Sequence, residues 1–193
     1  MQQITKNTTA VTKKNIVNRI SDIPGGVSLV LSTLVVGSVL PEATPLTAPT
    51  DGKRTVCKQA KILTGSTTTV FVVNTEENQF KAGDILFQVV GGAAYAISGI
   101  VDNGDGTSSI TIGTALESAT VGTYIYQSSV SAGEGAATGA LENTADVILK
   151  SPLTVPATTQ VIQMADAYLR ADVVEDCIGD LYLATLDVKE VKY

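Results

Sequence analysis

The residues with the best claim to chemistry lie in one acidic, glycine-rich run, Asp102-Asn-Gly-Asp-Gly-Thr107. It has the content of a calcium loop. A helix–loop–helix calcium site needs oxygen ligands at loop positions 1, 3, 5 and 12, with glycine at position 6. Setting Gly106 sixth puts Val101 first and Ile112 twelfth, and neither carries a side-chain oxygen. The run therefore predicts a hairpin turn. Gly133-Glu-Gly-Ala-Ala-Thr-Gly139 resembles a dinucleotide-binding fingerprint, but its last glycine falls one residue late and no clear helix follows. It reads as a linker.

Nucleophilic catalysis fares no better. The chain has no histidine, which removes the commonest general base and metal ligand. It has no G-x-S-x-G elbow and no P-loop. Glu76-Glu77 and Glu175-Asp176 are acidic pairs, but neighbours in sequence rarely face one substrate. Both read as solvated turns. Cys57 and Cys177 are too few and too far apart for a zinc site or a disulfide framework, and reduced thiols are expected. No catalytic, cofactor-binding or metal-ligating residue is assigned, no cofactor is expected, and an enzyme is not expected.

The elements that would position these residues are mostly short strands. Thr67–Val73, Ile85–Val90, Ala93–Val101, Thr107–Ile112 and Thr123–Gln127 alternate with turns rich in Gly, Asp and Asn. Strands at this spacing predict a small barrel or sandwich over residues 63–129. Before it, Val27–Leu40 is an apolar run that reads as a buried strand pair broken near Gly37. It is too short for a membrane span and has no A-x-A cleavage site. Pro41, Pro45 and Pro49 exclude a helix or a central strand, and Arg54–Ile62 reads as a strand. After the linker at 130–136, strands are expected near Thr138–Leu141, Val147–Lys150 and Thr159–Met164. One or two helical turns are expected over Ala171–Ile178, and a terminal strand within Leu181–Tyr193.

The resulting fold class is mainly β. A barrel or sandwich, 63–129, is inserted into a second small β domain made of 27–62 and 137–193. Residues 1–26 are polar and end in Pro24-Gly-Gly26, which predicts an extended arm with one helical turn around Lys13–Ile20. Charged residues are only 17%, and abundant Val and Thr suit a pleated surface. The net charge of −6 argues against nucleic acid, whose binding draws on Lys and Arg.

Val39-Leu-Pro-Glu-Ala-Thr-Pro-Leu46, followed by the turn Asp51-Gly-Lys-Arg54 and a strand, resembles the small β domain of phage head-decoration proteins of the lambda type. There too a segment ending in Thr-Pro-Leu precedes a polar turn and a strand. Ala43 stands where that family commonly has glycine. Ala137-Thr-Gly-Ala-Leu141, Ala145–Leu149 and Ile162–Val173 are compatible. Phe80–Leu86, Ile110–Leu116 and Val121–Tyr126 are similar to segments of phage head-fibre and capsid-auxiliary proteins. The resemblance implies a β-tulip-like outer domain and a non-enzymatic virion protein made in the bacterial host cytoplasm. It would sit on the capsid surface as a homotrimer. Its partners would be the major capsid protein and itself, with no nucleic acid and no membrane. The competing reading is a fibre or cell-surface adhesin that binds carbohydrate. Sugar sites commonly stack on aromatic rings, and without tryptophan the candidates are Tyr95, Tyr124 and Tyr126.

Overall fold

A computed structural model describes residues 16–131, 139–157, 162–174, 177–186 and 188–191. Strands dominate. In chain order they are β1 (Ile16–Asp22), β2 (Val27–Val30), β3 (Val39–Leu40), β4 (Pro45–Thr47), β5 (Lys53–Arg54), β6 (Gln59–Lys61), β7 (Val70–Asn74) and β8 (Ile85–Phe87). There follow β9 (Ala94–Asp102), β10 (Thr107–Ile112), β11 (Tyr124–Gln127), β12 (Ala145–Leu149), β13 (Leu153–Thr154), β14 (Ile162–Ala165) and β15 (Ala167–Val174). A one-turn helix α1 (Asp180–Leu183) and β16 (Val188–Val191) complete the described chain.

The mainly β class is what the composition predicts. Six strands from the middle of the chain form one sheet, in the order β6-β11-β8-β9-β10-β7. β9 is long enough to serve two neighbours. Its first half pairs with β8 and its second half with β10, with a register shift between Thr111 and Ile112. The sheet folds over at that point. Ile62, Leu86 and Ile125 on one side then pack against Phe71, Val73, Ile110 and Ile112 on the other. The two ends of the sheet approach each other, and Leu63 donates its N–H to the Val72 carbonyl at 2.8 Å. No closed barrel forms among the described residues; the strands expected as a barrel or sandwich lie in this single folded-over sheet.

The remaining strands form three smaller sheets. One has β1, β15, β12 and β4 in order, with β16 running parallel to β15. A second orders β14-β2-β5, and the third pairs β13 with β3. β12 lies between two apolar layers. Val147 and Leu149 point into a cluster with Leu29, Leu40 and Leu46, while Ile148 joins Tyr168, Val173 and Tyr182. That second cluster also takes in Phe87, Ala94 and Tyr126 from the six-stranded sheet. One apolar core thus joins the middle of the chain to its flanks.

Several local expectations change. Residues 16–20, expected as part of a helical turn, belong to β1, which pairs antiparallel with β15. Residues 1–15 and most of the 130–136 linker lie outside the described residues. Val27–Leu40 gives β2 and β3 as expected, but they do not pair with each other. β2 pairs with β14 and β5, and β3 with β13. Arg54–Ile62 breaks into β5 and β6. Pro45 lies in β4 at the edge of its sheet, where a missing N–H is tolerated. Ala171–Val174, expected as helix, is the end of β15. Flanked by β1 and β16 in the sheet, it takes its conformation from its neighbours. The helix falls later, at Asp180–Leu183, and β16 (Val188–Val191) lies within the expected terminal strand. Near Thr138–Leu141, where a strand was expected, Gly139 and Ala140 make backbone hydrogen bonds to Gly91, Gly92 and Ser129, and Leu141 forms an isolated bridge with Ser128.

Candidate functional site

A cleft of about 410 Å³ opens where the six-stranded sheet meets the smaller sheets. Its walls come from distant parts of the chain. β3 and the turn after it bring Leu40, Pro41 and Glu42. β6 brings Gln59 and Lys61, the end of β7 and the turn after it bring Asn74, Glu76 and Glu77, and β11 brings Tyr124. Pro152 and Cys177 complete the rim.

The turn after β7 is held in place by its own side chains. Asn74 Oδ1 accepts the backbone N–H of Glu76 at 2.9 Å and of Glu77 at 3.4 Å. The Glu76 carbonyl in turn accepts the N–H of Val39 at 2.7 Å, which ties this turn to β3. Behind it, Gln79 is buried and its amide exchanges hydrogen bonds with the Ser38 hydroxyl. On the other wall, Gln59 Oε1 accepts the N–H of Gly179 at 2.9 Å, just ahead of α1. The acidic pair Glu76-Glu77 therefore does lie in a turn, and both residues are exposed at the cleft.

Strand alternation sorts the three tyrosines. Ile125 points into the core of the six-stranded sheet, so Tyr124 and Tyr126 share its opposite face. Tyr126 is buried among Phe87 and Tyr182, at centroid distances of 5.9 and 5.5 Å. Tyr95 packs against the six-stranded core. Tyr124 alone of the three lines the cleft, opposite Lys61 in the β11–β6 ladder.

The other candidates are placed as follows. In the Asp102–Thr107 turn, Asp102 Oδ1 accepts the Gly104 N–H at 2.9 Å and Asp105 Oδ1 accepts the Thr107 hydroxyl at 2.6 Å. The Thr107 hydroxyl, and then its N–H, hold the Asp105 carboxyl below its usual range. These oxygens close the hairpin, with Gly104 and Gly106 at positive φ. Of the glycine-rich run, Gly139 is described. It pairs with Gly91 and Gly92, and a Cβ there would stand 2.8 Å from the Gly92 carbonyl oxygen, so its role is close packing. Glu175 and Asp176 lie outside the described residues. Among the described residues no three His, Cys, Asp or Glu side chains gather to hold a metal.

Cys57 also borders the cleft, but it is buried, and burial pushes its thiol up to about 12. It stays protonated at neutral pH and is a poor nucleophile. Burial likewise pushes Tyr126 up to about 12 and raises Tyr182. All three belong to one core cluster. Below the ordinary thiol value of 9.0 they are protonated in both folded and unfolded chains and add no pH dependence. Above it the unfolded chain releases protons that the folded chain keeps. Stability is therefore expected to hold to about pH 9 and to fall progressively above it. Urea unfolding midpoints across that range test this. A flat profile into strong alkali would show that these groups are not buried together.

Gln59, Asn74 and Glu42 were not singled out from sequence, and only the proline-bounded segment around Glu42 gave a signal. A scan against protein-family models, a search of curated proteins and a search of solved structures each found no match.

Proposed function

We propose that this protein is a non-enzymatic structural component of a phage virion that binds the outside of the capsid as a trimer and stabilises or decorates it. The observation that carries this reading is the backbone of the segment with the family resemblance. Val39–Leu46 folds as β3, a turn and the edge strand β4, and Ala43 in that turn has φ 71°. That is the left-handed region in which glycine is at ease and alanine is strained. Glycine is the residue decoration proteins commonly carry there. The polar turn beyond it also matches, with Asp51 and Gly52 both at positive φ ahead of β5.

Two surface features suit an assembled protein. β1 pairs on one side with β15 and lies at the edge of its sheet, a position where strand addition by a partner uses main-chain hydrogen bonds. Val89, Val90 and Val121 are more than half exposed, on loops that Gln88 ties together through Thr123 and Ser118. Exposed apolar side chains gathered on neighbouring loops are a common mark of interaction surfaces. The solution mass by light scattering tests the self-assembly. Three times the 20.0 kDa chain mass is expected, and a monomer at every concentration would overturn the trimer.

A further inference from the structure

We infer that Asn103, in the hairpin tip between β9 and β10, is a site of spontaneous covalent modification: in the folded protein its side-chain amide is lost through a cyclic imide, leaving aspartate and isoaspartate. This stands apart from the capsid reading, since it depends on the hairpin alone.

The step uses the chain and solvent water. The Gly104 backbone nitrogen gives up its proton and attacks Asn103 Cγ. The new N–Cγ bond closes the imide, and the Cγ–Nδ2 bond breaks to release ammonia. Water then opens the imide at either carbonyl. One opening restores the ordinary backbone with an aspartate side chain. The other routes the main chain through the side chain as isoaspartate. In total, one amide and one water become one carboxylate and one ammonium.

Sequence and fold both favour this at Asn103. Of the seven asparagines, only Asn103 precedes glycine, where no side chain shields the attacking nitrogen. Residues 101–106 are all exposed, so water reaches the imide. A Cβ placed on Gly104 would have nothing within 4 Å, so ring closure meets no neighbour. The reacting groups also face suitable partners. The Gly104 N–H donates to Asp102 Oδ1 at 2.9 Å, which sets a carboxylate as base against the proton to be lost. The Ser109 hydroxyl donates to Asn103 Oδ1 at 3.0 Å and draws electrons from the carbon to be attacked. The departing Nδ2 donates to the Thr107 hydroxyl at 2.9 Å. Turning the Asn103 side chain onto Gly104 breaks only these exposed hydrogen bonds, which water replaces.

Asn78 is the contrasting case. It is buried, its Oδ1 accepts the Phe80 N–H at 3.0 Å, and Gln79 follows it with a side chain of its own.

Incubation of the folded full chain in mildly alkaline buffer, beside a urea-unfolded sample, tests this. Cleavage after glutamate releases residues 78–117 as one peptide that carries both asparagines. Fragmentation in a mass spectrometer then locates each amide-to-acid exchange and the isoaspartate. Conversion in the folded chain is expected at Asn103, about tenfold or more faster than at Asn78. Asn103→Gln should remove it from this hairpin. No conversion of folded Asn103 by the time that the unfolded chain has converted there, or conversion at Asn78 just as fast, would overturn the proposal.

Discussion

Replacing Tyr182 by alanine is expected to destabilise the protein by about 3–5 kcal/mol, the range for deleting a large buried aromatic side chain. Tyr182 is fully buried. Its ring meets Tyr126 edge-on at 5.5 Å, and its hydroxyl donates to the Lys58 carbonyl at 3.4 Å. It sits on α1, which has four residues and no side-chain N-cap bond. A helix that short does not form by itself in water. Its anchors are Tyr182, the Gln59 bond to Gly179, and the close seat of Gly179 against the Tyr126 ring. Tyr182→Phe keeps the ring and loses one long hydrogen bond, so about 0.5 kcal/mol is expected. Urea unfolding of both variants checks the difference. A Tyr182→Ala cost below about 1 kcal/mol would mean that α1 is not part of the common core.

Asp84→Ala should have an effect of similar size for a different reason. Lys58 Nζ donates to Asp84 Oδ2 at 2.6 Å, and the lysine side chain is only 4% exposed. Removing the carboxylate leaves a buried ammonium without its counter-charge, a loss of about 3–5 kcal/mol. It also removes the acceptor for the Lys81 N–H, at 2.9 Å, in the turn that starts β8. Lys58→Met is expected to cost less. Asp84 is nearer solvent, at 18% exposed, and would keep the Lys81 N–H. Thermal or urea unfolding of the two variants distinguishes this from an ordinary surface pair, for which each change would cost under about 1 kcal/mol.

What could be read from the residues was local. The hairpin at Asp102–Thr107 and the strand Thr107–Ile112 follow from two glycines at positive φ and from alternation. Ser108, Ile110 and Ile112 are buried and their neighbours are less so. Ala171–Val174 was misread because its local sequence tolerates a helix. Its strand conformation depends on β1 and β16, which reach it from opposite parts of the chain. The cleft was illegible for the same reason. Gln59, Asn74 and Tyr124 come to line one cleft only once β6, β7 and β11 are arranged in one sheet. Tyr124 and Tyr126 looked equivalent as strand tyrosines. α1 distinguishes them by covering Tyr126.

The most direct test of a capsid role is co-sedimentation of the purified protein with emptied phage heads stripped of their decoration protein. On that proposal, the heads to use are those of the phage to which the chain is assigned. The account predicts saturable binding, abolished by deleting residues 1–15 while the fold from β1 onward is retained. Protein that stays in the supernatant at every concentration, with its fold intact, would contradict it.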